Sequence, residues 1–494
     1  MLQQEAVTAL QQPRRIGIMA QYSLAFDFGA TSIRAILGAV EDGRFTTKEV
    51  MRMSHQRVME DGRSRWEWDK IVNKVVETIN AHAHEISSIA VNTWGVDFGL
   101  TGKDGSLLAN PVSYRDARHN EGYDFAQQSM SLKDIFMATG NQIMSINSLF
   151  QLLVLKKDAD EGKDAAGTWQ KIDKLLFLPD LLNYMLTGEK RAELTIASTS
   201  QILDLRSRNF SPAILNAWNI DESIFAPVIY PTETVGSIKN SLIPELRELN
   251  RDIKVIACAS HDTASAVLLT EAYTDRNTAF LSCGTWSLIG GLTDEPVISE
   301  AAFERNLTNE TGFGGSNMFF KNITGLYILE MLKTQLEERE NRKIPFDEIT
   351  AWVSSSKVDS WVDVDAPVFA QNEFDVIEAI NSLLGSGFEH PFDYFRVIYL
   401  SLAHKYHSTL QDIESIMGRK FTRLHMIGGG TQSSFLCQLV ATVTGLEVVA
   451  GPMEATAYGN LLAQKLGLGE FKDLEEGRRV ILESSEFKIY HPQA

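Results

Sequence analysis

The chain has 494 residues, of which 44% are hydrophobic, so it can bury a large core and its length predicts two or three domains. Its 64 acidic and 46 basic residues give a formal charge of -18, which disfavours binding to nucleic acid or to an anionic membrane surface. The three cysteines are far apart and no long apolar run occurs, so we expect a cytoplasmic protein with no disulfide framework, zinc site or membrane span.

The N-terminal segment MLQQEAVTALQQPRRIGIMA, residues 1–20, precedes the first predicted strand. It contains no apolar stretch long enough for a secretory signal, and we expect a disordered extension.

The first predicted element is a β-hairpin in SLAFDFGATSIRAILG, residues 23–38. Leu24, Phe26 and Phe28 alternate along one face, and a turn of small and hydroxylated residues follows. The N–H groups and hydroxyls of such a turn can surround a phosphate. Because the carboxylate of Asp27 would repel a phosphate without a cation between them, a water-mediated Mg²⁺ site is one interpretation. The alternative is a solvent-exposed hairpin with an ordinary turn aspartate.

The next informative segment is NTWGVDFGLTGKDGSLLANPVSYRDAR, residues 92–118. Trp94 and Asp97 flank Gly95 on a predicted apolar strand, and an aromatic face beside acids and an arginine suits a polyol. The alternative is a tryptophan buried in the sheet for packing alone.

The segment IKVIACASHDTASAVLL, residues 253–269, predicts a strand over Val255–Ala259 and a helix that begins near His261. Asp262 is either the N-cap of that helix or a general base for a substrate hydroxyl. His261 and Thr263 flank it and could bind the same substrate.

The second half of the chain repeats the plan of the first. TAFLSCGTWSLIGGL, from residue 278, predicts another hairpin, in which Gly284 aligns with Gly29 and Ser287 with Ser32. We therefore expect an N-terminal domain over 21–267 and a C-terminal domain over 268–494. The alternation of strands and helices predicts an α/β fold, with covering helices over 70–85 and 392–417.

Three consecutive glycines at 428–430 end a predicted strand and precede a helix. They allow either close approach of an adenine or ribose, or tight packing of helix on strand. The P-loop, HExxH and GxSxG patterns are absent from the sequence, which argues against P-loop nucleotide binding and against the commonest zinc-protease and esterase sites.

Seven segments, in order and at family-like spacing, resemble the FGGY carbohydrate kinases from about residue 22 to residue 469: NTWGVDF, PVSYRDAR, ASHDTASAV, LSCGTWSL, NLTNE, HMIGGGTQ and VVAGPMEA. The resemblance implies an actin-like ATPase fold of two ribonuclease-H-like domains with an interdomain cleft. ATP, Mg²⁺ and a small-molecule ketose would meet in that cleft, and neither nucleic acid nor membrane is an expected partner.

The resemblance also assigns roles to individual residues. Asp262 matches the catalytic base, and Asp27 is expected to lie near Mg²⁺. Glu330 occupies a nucleotide-contact position where the family commonly has Gln. The ketose is expected to contact Gly95, Trp94, Asp97, His261, Asp262 and Thr263. The nucleotide is expected to contact Ala30, Thr31, Ser32, Ile33, Arg34, Thr285, Asn322, Glu330 and Gly429.

The expected reaction is ATP-dependent phosphorylation of a ketose, with L-rhamnulose at its O1 hydroxyl ahead of L-fuculose, D-xylulose or ribulose. A rival from another class is a non-catalytic actin-like nucleotide switch, which would need neither a sugar platform nor a base.

Overall fold

The computed structural model describes residues 21–29, 31–249, 251–371 and 374–493. The expected N-terminal extension, residues 1–20, and the predicted nucleotide contact Ala30 therefore lie outside the described residues. Within the described ranges, no α-helix has the length and apolar character needed to cross a bilayer.

Strands and helices alternate along the whole chain. The strands of the N-terminal half are β1 (Tyr22–Phe28), β2 (Ser32–Glu41), β3 (Arg44–Ser54), β4 (Arg57–Glu60), β5 (Arg63–Trp66), β6 (Ile86–Thr93), β7 (Phe98–Gly102), β8 (Ile172–Phe177), β9 (Ala192–Glu193), β10 (Leu203–Asp204), β11 (Asn209–Phe210), β12 (Val228–Ile229), β13 (Thr234–Ser237) and β14 (Lys254–Ile256). Those of the C-terminal half are β15 (Thr278–Cys283), β16 (Trp286–Thr293), β17 (Thr308–Thr311), β18 (Asn317–Thr324), β19 (Arg423–Ile427), β20 (Glu447–Ala450) and β21 (Lys488–Tyr490).

The α-helices alternate with these strands along the chain. They are α1 (Trp68–His82), α2 (His119–Ala126), α3 (Leu132–Thr139), α4 (Ser148–Asp160), α5 (Thr168–Lys171), α6 (Leu178–Thr187), α7 (Leu194–Ala197), α8 (Pro212–Ala217), α9 (Pro244–Arg247), α10 (Asp262–Val267), α11 (Glu300–Glu304), α12 (Tyr327–Glu340), α13 (Phe346–Ser355), α14 (Val376–Leu384), α15 (Asp393–Met417), α16 (Ser434–Thr444), α17 (Ala455–Gly467) and α18 (Leu474–Glu483). The covering helices predicted over 70–85 and 392–417 correspond to α1 and α15.

Each half of the chain contains one large mixed sheet. The strand order is β13-β14-β6-β1-β2-β3 in the first sheet and β17-β18-β16-β15-β19-β20-β21 in the second. In the first, β1 pairs antiparallel with β2 and parallel with β6, and in the second, β15 pairs antiparallel with β16 and parallel with β19. The shared order, three antiparallel strands continued by two parallel ones, is that of a duplicated α/β architecture.

The two opening hairpins correspond, but not residue for residue. Gly29 and Gly284 each donate their N–H to a carbonyl across the turn at 2.9 Å. The second turn is one residue shorter, so Ser287, opposite the last residue of β15, takes the register position of Ile33 in the first hairpin. The predicted alignment of Ser287 with Ser32 is therefore wrong by one residue, and that of the two glycines holds.

Two strands near the cleft end earlier than the apolar pattern predicts. β6 ends at Thr93, so Trp94 and Asp97 lie in the connection to β7 rather than on a strand. Val96 within that connection has a φ of 69°, which a β-branched residue rarely adopts and which is incompatible with an extended strand. Likewise, β14 stops at Ile256, and the chain reaches α10 through residues 257–261, which belong to no strand and of which only His261 forms an isolated β-bridge, with Thr93.

The described residues form three buried apolar clusters. One lies in the N-terminal half and one mainly in the C-terminal half. The third is shared by both halves and includes Val267 of α10 and Leu461 of α17. The last helices of the chain therefore pack back against the first sheet and against the helix that carries Asp262.

The contact between α10 and α17 depends on Gly459. A Cβ atom at this position would lie 1.9 Å from the carbonyl oxygen of Ser265, which is backbone and cannot rotate away. We expect Gly459→Ala to lower the free energy of unfolding by about 1–3 kcal/mol, because the two helices must separate. Chemical denaturation measures this loss.

A suitable control is Gly477→Ala in α18, where the added Cβ would meet only side-chain atoms of Leu462 and Phe471. These side chains can move, so a smaller loss is expected. Equal losses at the two positions would contradict the close approach of α10 and α17.

Candidate active site

A cleft of about 820 Å³ lies between the two opening hairpins. It is bounded by the turn of the first hairpin, the turn of the second, the start of α10 and the glycines after β19. The predicted residues that line it are Asp27, Thr31, Ser32, Arg34, Trp94, Gly95, His261, Asp262, Thr263, Thr285, Asn322, Glu330 and Gly429.

Among the predicted contact residues that the structure describes, two do not reach the cleft. The side chain of Ile33 is fully buried in the N-terminal core, because its position on β2 points away from the turn. Asp97 is 1% exposed and lies behind the cleft wall. Direct contact of these two side chains with a ligand is therefore not supported by their positions.

Asp262 is the first residue of α10, and its carboxylate faces the cleft. The residue that precedes the helix is His261, and Asp262 Oδ1 accepts hydrogen bonds from the N–H of the adjacent Thr263 at 2.6 Å and from its hydroxyl at 3.3 Å. An N-cap side chain would instead accept from a residue two or three positions further on, so the N-cap alternative is wrong. Burial raises the pKa of Asp262 to about 6, with His261 opposing the rise and the negative charge of Asp27 adding to it.

His261 stands between two carboxylates. Its Nε2 is 3.4 Å from Asp262 Oδ1, and its Nδ1 is 3.2 Å from Oε2 of the buried Glu310 on β17. Burial alone would lower the pKa of His261, but the contact with Glu310 and the charges of Asp262 and Glu193 together outweigh it, and the pKa is raised. The imidazole is thereby kept cationic over a wider pH range beside the carboxylate of Asp262.

The loop that carries Asp262 is held from below by a second acid, Glu193. Its Oε2 accepts from the N–H of Ser260 at 3.0 Å and from the hydroxyl of Thr195 at 2.6 Å, and Thr195 Oγ1 in turn accepts from the N–H of His261. Burial raises the pKa of Glu193 to about 7. These contacts add to the hydrogen bond from the N–H of Thr93, at the end of β6, to the carbonyl of Ser260 at 2.9 Å.

Asp27 is 5% exposed and fully hydrogen-bonded. Its Oδ2 accepts from Arg34 Nη2 at 2.6 Å and its Oδ1 accepts from Asn92 Nδ2 at 2.9 Å. Arg34 also pairs with Glu454, which lies just before α17 in the C-terminal half. Burial would lower the pKa of Arg34, but the two carboxylates raise it. The solvent-exposed alternative for Asp27 is therefore wrong, and Arg34 bridges the two halves of the chain.

The carboxylate of Asp27 is a ligand type that Mg²⁺ commonly uses. In the described part of the chain, no group of three His, Cys, Asp or Glu side chains is close enough to hold a metal ion. Mg²⁺ commonly uses only one or two carboxylates, with waters and substrate phosphates as the other ligands. The carboxylate of Asp27 beside the turn of the first hairpin meets that requirement, in competition with Arg34.

The far wall of the cleft is formed by the second hairpin and its neighbours. Thr285 occupies the turn, and the backbone N–H of Asn322 on β18 donates to Gln142 Oε1 at 2.9 Å. Gln142 lies in the N-terminal half, and its Nε2 donates back to the carbonyl of Asn322 at 3.2 Å. Glu330, in the first turn of α12, is exposed on the same wall.

The three glycines after β19 serve different purposes. A Cβ at Gly428, whose φ is 85°, would lie 2.9 Å from the carbonyl oxygen of Cys283, and one at Gly430 would lie 2.4 Å from Cys283 Sγ. A Cβ at Gly429 would meet nothing within 4 Å. The two outer glycines are thus needed for packing against β15, whereas the middle one faces open space in the cleft.

The wall of the cleft at Trp94 is an aromatic cluster organised by Asp97. Its Oδ2 accepts from the indole N–H of Trp66 at 2.7 Å and of Trp94 at 2.9 Å, and its Oδ1 accepts from Gln151 at 3.1 Å. Burial raises the pKa of Asp97 to about 6, although these hydrogen bonds oppose the rise. Asp97 therefore positions Trp94, which lines the cleft although it is only 7% exposed.

Several residues at the cleft were not predicted from sequence. Glu310, within NLTNE, pairs with His261, and Glu454, within GPMEA, pairs with Arg34; both lie in segments quoted for the family resemblance, which was the available signal. Thr199 Oγ1 accepts from the N–H of Val96 at 3.1 Å and holds the strained connection after β6. Nothing in the local sequence around Thr199 indicates this contact.

Comparison with known proteins bears on this arrangement. Residues 22–268 match the FGGY family of carbohydrate kinases, N-terminal domain, and residues 279–467 match its C-terminal domain. The rhamnulokinase of Bacteroides thetaiotaomicron is 37% identical over 483 residues, covering 96% of each chain. The rhamnulokinase of Ligilactobacillus salivarius is 33% identical over 478 residues, covering 95% of each chain.

Solved structures with a similar fold have low sequence identity. A ligand-bound xylulose kinase from Lactobacillus acidophilus has a TM-score of 0.77 at 17% identity, covering 96% of this chain and 94% of that chain. Plasmodium falciparum glycerol kinase with ADP has a TM-score of 0.74 at 15% identity, with the same coverage.

The predicted fold class, two ribonuclease-H-like domains of the actin-like ATPase kind, is confirmed by these structures and by the duplicated sheets. The prediction of a carbohydrate kinase is also confirmed, and such an enzyme uses ATP and a small-molecule sugar. With both family domains matched and relatives of more than 30% identity over nearly its full length, the chain belongs to the FGGY family of carbohydrate kinases.

Proposed function

We propose that the protein transfers the γ-phosphoryl group of ATP to the O1 hydroxyl of L-rhamnulose, giving ADP and L-rhamnulose 1-phosphate. The choice of sugar is supported by full-length relatives that are rhamnulokinases. The observation that carries the chemistry is the cleft-facing carboxylate of Asp262, next to the phosphate turn that follows Asp27. The cytoplasm, expected from the cysteine usage, is part of the same proposal.

In the proposed mechanism, Asp262 accepts the proton of the sugar O1 hydroxyl as that oxygen attacks the γ-phosphorus. The new bond joins O1 to phosphorus, and the bond from phosphorus to the β,γ-bridging oxygen breaks. The electron pair leaves with ADP. Because a carboxylate held near pKa 6 is both ionised at neutral pH and more basic than an ordinary aspartate, it suits this role.

Other residues of the cleft are proposed to bind and orient the nucleotide. The hairpin residues Thr31, Ser32 and Arg34 and the second turn at Thr285 are proposed to hold the phosphates. Mg²⁺ at Asp27 would neutralise phosphate charge when bound. Asn322, Glu330 and Gly429 are proposed to line the nucleoside end.

On the sugar side, Gly95, Trp94, His261 and Thr263 are proposed to contact the ketose, with Asp97 acting only through Trp94. The domain limits 21–267 and 268–494 are retained as part of this proposal. The start of β15 at Thr278 and the last helix of the first half, α10, are compatible with that division.

A coupled assay of ADP release over a panel of ketoses tests the function. With L-rhamnulose, L-fuculose, D-xylulose and ribulose at equal concentrations, the highest kcat/KM is expected for L-rhamnulose. Faster turnover of another ketose would reassign the substrate within the family. ADP release that is independent of every sugar would favour the nucleotide switch and refute the kinase mechanism.

The pH dependence of the reaction tests the base. Since Asp262 works only when ionised and its pKa is about 6, kcat/KM is expected to fall as the pH drops below about 6. An aspartate at the ordinary value of 3.8 would keep the enzyme active two units lower. A profile that stays flat down to pH 4.5 would contradict the raised pKa.

A further inference from the structure

One side chain outside the cleft joins the phosphate turn to the sugar-side wall. His55, just after β3, is 9% exposed, and its Nε2 lies 2.8 Å from the carbonyl oxygen of Gly29. Its ring stacks on Trp94, with centroids 5.3 Å apart and planes 17° from parallel. Gly29 and Trp94 both line the cleft, and His55 itself does not.

The protonation state of His55 follows from its partners. A carbonyl oxygen can only accept, so Nε2 carries the proton and donates it to Gly29. Nδ1 is buried and has no hydrogen-bond partner among the residues that the structure describes. Burial lowers the pKa of His55, although the bond to Gly29 opposes this, so the ring is neutral under ordinary conditions.

The stack on Trp94 is part of a larger cluster. Trp66 contacts the His55 ring edge-on, with centroids 5.0 Å apart, and also the Trp94 ring at 4.8 Å. Asp97 fixes both indoles through their N–H groups. The aromatic cluster therefore fixes the position of the His55 ring. The Nε2 of the same ring donates to the carbonyl of Gly29 in the turn.

We propose that His55 is a positioning residue that fixes the phosphate turn at Gly29 relative to the sugar platform at Trp94, with one separable contact for each substrate. The inference rests on the proposed function of the cleft. The N–H that His55 donates to Gly29 keeps the turn in the shape that receives the nucleotide phosphates. Its ring supports the tryptophan face against which the sugar lies. Neither contact involves the reacting atoms.

Two substitutions separate the contacts. His55→Phe keeps an aromatic ring against Trp94 and removes the N–H donor to Gly29. His55→Gln keeps an N–H donor in place of Nε2 and removes the ring. A matched control is His404→Phe, because His404 stacks on Trp361 at 4.8 Å and 20° and neither residue lines the cleft.

The readouts are the dissociation constant of Mg·ADP, measured by calorimetry, and the KM of the ketose that the wild-type enzyme phosphorylates best. His55→Phe is expected to weaken Mg·ADP roughly threefold to tenfold with the ketose KM nearly unchanged. His55→Gln is expected to raise the ketose KM roughly threefold to tenfold with Mg·ADP binding nearly unchanged. The control variant should match the wild type in both.

The proposal would be overturned if both variants lost affinity for Mg·ADP and for the ketose to the same extent, or if neither variant lost either affinity. His55 would then be a packing residue only. The measurement of Mg·ADP affinity does not depend on the sugar. If the wild-type enzyme phosphorylated no ketose, the proposed function would fail, yet Mg·ADP affinity would still decide between His55→Phe and His55→Gln.

Discussion

Asp262→Asn is expected to lower turnover about a hundredfold to ten-thousandfold while Mg·ATP binding is retained. The amide keeps the size of the side chain and can still accept from the N–H of Thr263, so the start of α10 is preserved. It cannot take the hydroxyl proton from the sugar. Steady-state kinetics and calorimetry on the same preparation measure the two effects, and unchanged turnover would refute the role of Asp262.

The same variant has a second signature in stability. The pKa of Asp262 is raised from 3.8 to about 6, so its ionised form is less favourable in the folded state than in the unfolded chain. Below about pH 4, Asp262 is protonated in both states and does not reduce the free energy of unfolding of the wild type. As the pH rises through 6, its ionisation lowers that free energy. The melting temperature of Asp262→Asn should therefore exceed that of the wild type increasingly between pH 4 and pH 7.

Asp473→Asn is the matched control, because Asp473 is a true N-cap and its carboxylate accepts from the N–H of Glu476 at 2.9 Å. Asn caps helices about as well as Asp, so little change in turnover or stability is expected there. A loss of turnover as large as that at Asp262 would indicate a general effect of removing acidic charge.

Asp27→Asn is expected to lower turnover on the order of a hundredfold, because the change removes the charge that orients Arg34 beside the phosphate turn and that would hold Mg²⁺. It should also lower the pKa of Asp262, since the negative charge of Asp27 contributes to raising it. The acid limb of the pH profile should accordingly move to lower pH in the residual activity. Mg²⁺ dependence of the rate provides a third readout.

Glu41→Gln is the control for this substitution. Glu41, the last residue of β2, accepts from the hydroxyl of Tyr22 at 3.0 Å on the same sheet, and neither residue lines the cleft. It should leave both the rate and the acid limb unchanged. A shift of the acid limb to higher pH in Asp27→Asn would contradict the proximity of the two aspartates.

Much of the fold could be predicted because its signals are local. Alternation of apolar residues identified both hairpins, and the glycine after each first strand marked the turn that faces the cleft. The duplicated plan followed from comparing the two hairpins, and the strand order of the sheets repeats it. Helices α1 and α15 were visible from their apolar periodicity.

The details of the site depended on packing, which sequence patterns do not encode. Asp97 is predicted to contact the ligand because it is close to Trp94 in the sequence. In the structure it is buried and accepts hydrogen bonds from two indoles. Ile33 lies in the phosphate hairpin, yet strand alternation directs it into the core. His55 is separated by 39 residues from Trp94 in the numbering, and only the folded sheet brings the two rings together.

The contacts between the halves were also beyond sequence reasoning. Arg34 and Glu454 are separated by 420 positions, and Gln142 and Asn322 by 180. These pairs meet because the two sheets face each other across the cleft, and the shared cluster around α10 and α17 fixes that arrangement. A pairwise contact at such separation has no local signature in one sequence.

A crystal structure with L-rhamnulose and a non-hydrolysable ATP analogue would test the central claim most directly. The sugar O1 oxygen is expected about 2.6–3.2 Å from a carboxylate oxygen of Asp262, with the γ-phosphorus on its opposite side. A sugar bound in the cleft with O1 turned away from Asp262, or separated from the γ-phosphate by the wall at Trp94, would contradict the mechanism.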